Sequence, residues 1–250
     1  MTKPKAIRPT LPAAMPSTAM VMAAGLGKRM RPLTATRPKP LVQIAGKTLL
    51  DHTLDHLRAA GVRRAVVNVH YLADTLEAHL RSVTGIDIAV SDERAQLLET
   101  GGGLMKAKPL LGEEPILVVN SDNFWLDGPI DALSLMASRW DPAKMDVLLL
   151  LIPLARAHCH GGQGDFHIAA DGRITTRRQR GRLAPFVFIG VQILNPAILV
   201  EAPEGAFSTM TFWERAIAAG RAYGIVHQGL WVDVGTPAAV ARAEALLTDG

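Results

Sequence analysis

The sequence predicts an α/β fold: one domain built on an open, mostly parallel sheet with helices on both faces. Three observations predict it. Short apolar runs recur along the chain without polar alternation, the mark of strands buried on both sides. Helical leucine periods lie between several of them. The 250 residues are 48% hydrophobic and 20% charged, and a chain of this length buries roughly 70–75% of its unfolded surface, enough for one large domain.

In chain order, residues 1–18 carry four prolines, two lysines and an arginine with no helical or strand period. The prolines interrupt the apolar core that a signal peptide needs, so a flexible leader is expected there and a folded domain over residues 19–250. Strands are then expected at Ala19–Ala24, Ala65–His70, Ile86–Val90, Pro115–Asn120, Val147–Ile152 and Phe186–Leu194. Helical periods appear at Leu50, Leu54 and Leu57, and again at Leu72, Leu76 and Leu80. Cys159–Arg182, rich in Gly, Arg and His, reads as loops or a small antiparallel excursion. A last helix is expected from about Pro237 to Leu247, with proline in its first turn. Such strand–helix alternation is Rossmann-like.

Composition narrows the partners. Val147–Pro153 is the longest apolar run, far short of the roughly 18 residues of a membrane span, so no membrane partner is expected. The single cysteine, Cys159, forms no internal disulfide and fits a reducing compartment such as the cytoplasm. Net charge is 27 − 23 = +4, which suits an enzyme handling polyphosphates as well as it suits nucleic acid. Nucleic acid is set aside because Phe, Trp and Tyr total only 5%, too few for the stacking platforms that single strands use.

The strongest local signal is Ala23-Ala24-Gly25-Leu26-Gly27-Lys28-Arg29-Met30-Arg31-Pro32-Leu33-Thr34. Glycines let backbone N–H groups approach phosphate oxygens, and the cations beside them grip the same oxygens. A Walker A loop is excluded because Arg29 follows Lys28, and a dinucleotide fingerprint fails because Met30 stands at its third glycine. Alone, the loop reads equally as a glycine turn with a solvated basic edge. That reading weakens because Arg37-Pro38-Lys39-Pro40-Leu41 follows, with a lysine held between two prolines.

Together these two segments resemble the signature of the sugar-1-phosphate nucleotidylyltransferases, and the likeness runs from Ala19 to about Leu247. The resemblance implies a fold of the nucleotide-diphospho-sugar transferase type. It implies that Ala23, Ala24, Gly25, Gly27 and Lys28 wrap the nucleotide phosphates and that Arg29 contacts the leaving pyrophosphate. Lys39 would approach the α-phosphate and the sugar phosphate. Phosphoryl-type transfer needs charge neutralisation, normally by Mg2+ held on one or two carboxylates. Asp122, closing Asn120-Ser121-Asp122, and Asp233, in Trp231-Val232-Asp233-Val234-Gly235-Thr236-Pro237, resemble the family's two magnesium-binding aspartates. Arg29, Lys39 and Asp122 are the catalytic candidates. A zinc site at His158-Cys159-His160 is rejected because no second cysteine exists. The glycines that follow suggest a mobile loop with solvated histidines. His70, at a strand end, is a crevice candidate without a partner.

Ser91-Asp92-Glu93-Arg94 and Leu98-Glu99-Thr100-Gly101-Gly102-Gly103 correspond to the family's base-reading region, with Glu93 as the candidate reader and Gly101 beside it. A carboxylate accepts from the N3–H of uracil or the N1–H of guanine, so UTP and GTP both stay open. Glu99 is placed near the sugar or at a helix cap. The triple glycine, Gly164-Asp165-Phe166 and the late Trp231-x-Asp233 step most resemble the bacterial subgroup that uridylylates N-acetylmuramate α-1-phosphate in cell-wall recycling. By that resemblance Asn120, Asp165 and Gly190 join Glu99 around the sugar. Mannose- and heptose-1-phosphate guanylyltransferases share most of these motifs and remain the alternative. A binding regulator without chemistry is disfavoured, since Arg29, Lys39, Asp122 and Asp233 are all present. Arg173, Arg177, Arg178, Arg180 and Arg182 depart from the family pattern and read as a solvated hairpin, or as a clamp for an anionic substrate.

Overall fold

A computed structural model describes residues 15–248. The elements run β1 (Thr18–Met22), β2 (Gln43–Ile44), β3 (Lys47–Thr48), α1 (Leu49–Ala60), β4 (Arg64–Val69), α2 (Ala73–Leu80) and β5 (Asp87–Asp92). Then come α3 (Glu99–Leu111), β6 (Ile116–Asn120), β7 (Asn123–Leu126), α4 (Ala132–Arg139) and β8 (Val147–Pro153). Next are β9 (Phe166–Ile168), β10 (Ile174–Arg177), β11 (Phe186–Leu194) and α5 (Met210–Ala218). The chain ends with β12 (Ala222–Val226), β13 (Leu230–Asp233) and α6 (Pro237–Thr248).

All six strands expected from apolar runs are present. Their side chains divide by the two-residue period of a strand. Ala19, Val21, Ala65, Val67, Leu117 and Val119 face one core together with Leu54 and Leu57 of α1, Leu76 of α2 and Met136 of α4. Met20, Val66, Ile116 and Val118 face the other, with Leu104 of α3 and Phe212 of α5. Apolar runs without alternation follow directly from burial on both faces, and each enclosed leucine contributes about 1.5–3 kcal/mol.

The main sheet is ordered β10-β9-β11-β6-β1-β4-β5, with β8 beside β11 and β12 beside β8. β6, β1, β4 and β5 pair in parallel, as does β12 with β8. β11 instead runs antiparallel to β6 and β8, a direction that an apolar run does not specify. The Cys159–Arg182 excursion is the antiparallel pair β9–β10. Its arginines are exposed, and Arg177 pairs with Glu214 on α5.

α1 starts at Thr48, whose Oγ1 accepts the Asp51 N–H at 3.0 Å, and stops at Gly61 in the left-handed conformation with φ 90°. The leader expected over residues 1–18 lies outside the described residues as far as residue 14. Its last part is built into the fold, for Met15 packs on the core and Ser17 O accepts from the N–H groups of Arg63 and Arg64. The domain therefore begins before Ala19.

A third, smaller core positions the site. Met30, Val42, Phe124, Val232, Val234 and Ala243 bury together, joining the glycine loop, the two-stranded ribbon β7–β13 and α6. Met30, the residue that spoils a dinucleotide fingerprint, is the anchor of the loop.

Candidate active site

Two adjoining cavities open at the carboxyl ends of β1 and β6, where parallel sheets place their ligands. The larger, about 390 Å3, is lined by Met22, Ala23, Ala24, Gly25, Lys39, Pro40, Asn68, Leu97, Glu99, Thr100, Asn120, Ser121 and Asp122. The smaller, about 350 Å3, is lined by Gly25 to Met30, Lys39, Leu97, Asp122 and Gly235. Gly25, Lys39, Leu97 and Asp122 border both.

The glycine loop is folded by its own sequence. Gly27 has φ 60°, and a Cβ there would stand 3.0 Å from Thr34 Cγ2 and 3.1 Å from Lys39 Cβ, so the turn needs glycine. Thr34 Oγ1 donates to Gly27 O at 2.8 Å, and Tyr71 Oη donates to Thr34 O at 2.9 Å. With Met30 buried below, Lys28 and Arg29 are left exposed at the cavity rim. The Arg29 guanidinium lies over Gly235, where a Cβ would come within 3.1 Å of Nη1.

The two aspartates sit at neighbouring positions of the ribbon. Asp233 is the cross-strand partner of Asn123, the residue that follows Asp122. Lys39 Nζ donates to Asp122 Oδ2 at 2.7 Å. His160 Nδ1 donates to Asp233 Oδ2 at 3.2 Å, and His158 O accepts the Asp233 N–H at 3.0 Å. Among the described residues nothing donates to Oδ1 of either aspartate. Two carboxylates, each held through one oxygen and free at the other, fit a hard cation that completes its shell with phosphate oxygens. Among the described residues no group of three His, Cys, Asp or Glu side chains forms a self-sufficient metal cage.

The structure gives several predicted residues other work. Glu93 is not brought to the cavity. It is fully buried, its Oε1 accepts Asn68 Nδ2 at 2.8 Å and its Oε2 accepts the Leu98 N–H at 3.3 Å. Asn68 Oδ1 in turn accepts the Ala23 N–H at 2.6 Å, so Glu93 fixes the entry to the glycine loop from beneath. The triple glycine is a packing device. Gly101 N–H donates to Phe207 O at 2.7 Å, and a Cβ on Gly101 or Gly102 would collide with Phe207 or Gly205. One on Gly103 would sit 2.8 Å from Glu93 Oε1. Gly101 thus lends its N–H to the fold and does not border the cavity, whereas Glu99 does, at φ 58°.

Asp165 does not reach the cavity either; its Oδ2 accepts the Phe188 N–H at 2.9 Å and fastens β9 to β11. Gly190, at φ 77°, leaves the space that the amides of Asn120 and Asn123 occupy. His160, expected to be solvated, is not. His160 is folded against Asp233 and Trp231, and a Cβ on Gly162 would strike its ring, so the glycines let the loop close on the ribbon. His70 gains a partner, donating from Nδ1 to Glu93 O at 2.7 Å. Sequence reasoning missed Asn68, Ser121, Thr100 and Leu97 as cavity residues; for Asn68 a polar side chain interrupting Ala65–Val69 was the available signal.

At the far end of the ribbon, His227 Nε2 lies 3.1 Å from Leu126 O and 3.2 Å from Leu230 O. Burial pushes its pKa below the usual imidazole range. Asp127 beside it is held below the carboxylate range; burial opposes this, and His56 hydrogen bonding and charge overcome it.

The crevice thus has Lys28, Arg29 and Lys39 at its lining, with Asp122 between the two cavities. A family model described as "Nucleotidyl transferase" matches residues 18–250, and the chain belongs to that family. It is 48% identical over 238 residues, 94% of this chain and 98% of the relative, to N-acetylmuramate alpha-1-phosphate uridylyltransferase of Caulobacter vibrioides. It is 37% identical over 231 residues, 91% of this chain and 97% of the relative, to the protein of the same name from Neisseria meningitidis serogroup B. The fold is shared with UDP-glucose pyrophosphorylase complexed with UDP-glucose, at TM-score 0.77 and 17% identity, covering 93% of this chain and 98% of that one.

Proposed function

We propose that this chain transfers the uridylyl group of UTP to N-acetylmuramate α-1-phosphate, forming the UDP-sugar and pyrophosphate. A phosphate oxygen of the sugar phosphate attacks the α-phosphorus of UTP. The bond from that phosphorus to the bridging β-oxygen breaks, and pyrophosphate leaves with the electron pair. No protein nucleophile is needed, because the attacking phosphate is already ionised at neutral pH.

Catalysis in this reading is positioning plus charge stabilisation. The larger cavity takes the nucleoside and the sugar phosphate; the smaller, rimmed by Lys28 and Arg29, takes the departing pyrophosphate. Lys39, where the two cavities meet, orients the α-phosphate. Asp122 and Asp233 would hold a divalent ion, Mg2+ in this reading, which when bound neutralises phosphate charge. The observation that carries the proposal is the Lys39–Asp122 contact at that junction. The two relatives named above support the choice of UTP and of N-acetylmuramate 1-phosphate, and in this reading the enzyme serves recycling of the cell wall in the cytoplasm.

The test is pyrophosphate release from UTP, GTP, dTTP and CTP, each crossed with muramate, mannose, heptose and glucose phosphates. UTP with the N-acetylmuramate derivative is expected to win. GTP with a manno-configured sugar would move the assignment to a guanylyltransferase, and nucleotide binding without release from any pair would mark a regulator.

A further inference from the structure

A third cavity, about 200 Å3, opens off the larger one through Met22, Thr100 and Asn120. Nothing in the transfer chemistry uses it. Its deep wall is apolar and aromatic, formed by Val118, Phe188 and Trp213, with the two rings edge-to-face at 4.8 Å between centroids. Two buried polar side chains also line the cavity: Gln192, on β11, is 3% exposed, and Thr209 is 6% exposed with its Oγ1 3.2 Å from Thr100 Oγ1. Trp213 Nε1 donates to Gln192 Oε1 at 2.8 Å. An indole N–H only donates, so it fixes which end of the amide faces the tryptophan. Gln192 Nε2 therefore remains as an oriented donor with no acceptor among the described residues.

We propose that this side cavity is a subsite for the acylamino substituent of the sugar phosphate and that Gln192 determines specificity there. The inference rests on the transfer reading above. A donor set in an apolar wall matches one neutral carbonyl oxygen with a methyl beside it. The lining carries no lysine or arginine, so a carboxylate entering it would be desolvated without a counter-charge. The cavity therefore selects the acetamido group over the carboxylate-bearing lactyl ether of a muramate, which is left facing the open crevice. A cavity of about 200 Å3 has room for an acetyl group and for somewhat longer acyl chains.

The test measures kcat/KM by pyrophosphate release with UTP and paired sugar 1-phosphates that differ only in acylation: free amine, N-acetyl, N-propionyl and N-butyryl. The wild-type protein is expected to favour N-acetyl over free amine by about 30-fold or more, within the range that one methyl and one buried hydrogen bond confer, and to accept N-propionyl and N-butyryl, which the cavity has room for. Gln192→Met is expected to reduce the acetyl preference to a few-fold. Trp213→Phe, which releases the amide to rotate, is expected to reduce it partway, and serves alone if Gln192→Met fails to fold. Release without acyl preference in the wild type, or a preference untouched by the variants, overturns this inference while the transfer reading stands. No release from any sugar phosphate overturns both.

Discussion

The two sides of the main cavity are built by opposite means. On the side of β4, β5 and α3, the floor is committed: Glu93 and Asn68 are buried and bonded to each other, and a Cβ on Gly103 would press on both. On the side of the glycine loop and the β7–β13 ribbon, Lys28 and Arg29 stand exposed and Asp122 and Asp233 each keep one unbonded carboxylate oxygen. The first side is expensive to disturb and sets geometry. The second keeps its charges available, and the proposed chemistry is placed there. Changes on one side should therefore move stability, and changes on the other should move rate.

The largest expected effect comes from the charged side. Asp122→Asn removes a charge from the proposed ion site without changing shape, and turnover should fall about a hundredfold or more, roughly 3 kcal/mol of barrier. Thermal unfolding should move little, because the side chain is 39% exposed. A variant with normal magnesium-dependent turnover would remove Asp122 from the mechanism.

On the committed side, Gly103→Ala should destabilise by about 1–3 kcal/mol, several degrees of melting temperature. Alanine in a helix interior ordinarily stabilises relative to glycine, so a rise in melting temperature would show that the Glu93–Asn68 contact does not hold the floor.

A third change sharpens the contrast at its boundary. Gly235→Ala places a methyl under the Arg29 guanidinium. It should lower kcat/KM about tenfold with melting unchanged, and equal losses in rate and stability would blur the division drawn here.

Much of this was legible in advance, for physical reasons that differ by region. The parallel strands announced themselves because burial on both faces forbids polar alternation from Ala65 to Val69. The glycine loop, Lys39 and Asp122 stand out in the sequence as crevice residues, and they line the two cavities. Glu93 misled because a carboxylate in Ser91-Asp92-Glu93-Arg94 looks solvated, and only the fold shows Asn68 and the Leu98 N–H waiting for it. The triple glycine resembles a ligand-facing backbone, yet the partners of Gly101 and Gly102, Phe207 and Gly205, lie a hundred residues away in sequence, and Gly103 packs on Glu93. His160 was read as free because local glycines signal mobility, whereas here they permit the ring to close on Asp233.

The smallest effect concerns the buried end of the ribbon. Burial holds the pKa values of His227 and His52 below the ordinary imidazole value. On acidification the unfolded chain takes up those protons first, so the stabilising contribution is full above about pH 6.5 and declines as pH falls below it. Melting temperature should drop between pH 7.5 and 5.5, and His227→Gln should flatten that slope; an unchanged slope would contradict the assignment.

The central claim is that Asp122 and Asp233 face a shared divalent ion beside a triphosphate lying along Gly25–Arg29. Its most direct test is a crystal structure with Mn2+ and a non-hydrolysable UTP analogue, read by manganese anomalous scattering. The account predicts a peak at coordination distance from Oδ1 of both aspartates, with the phosphates against the glycine loop. A peak away from both carboxylates, or a triphosphate bound elsewhere, would contradict it.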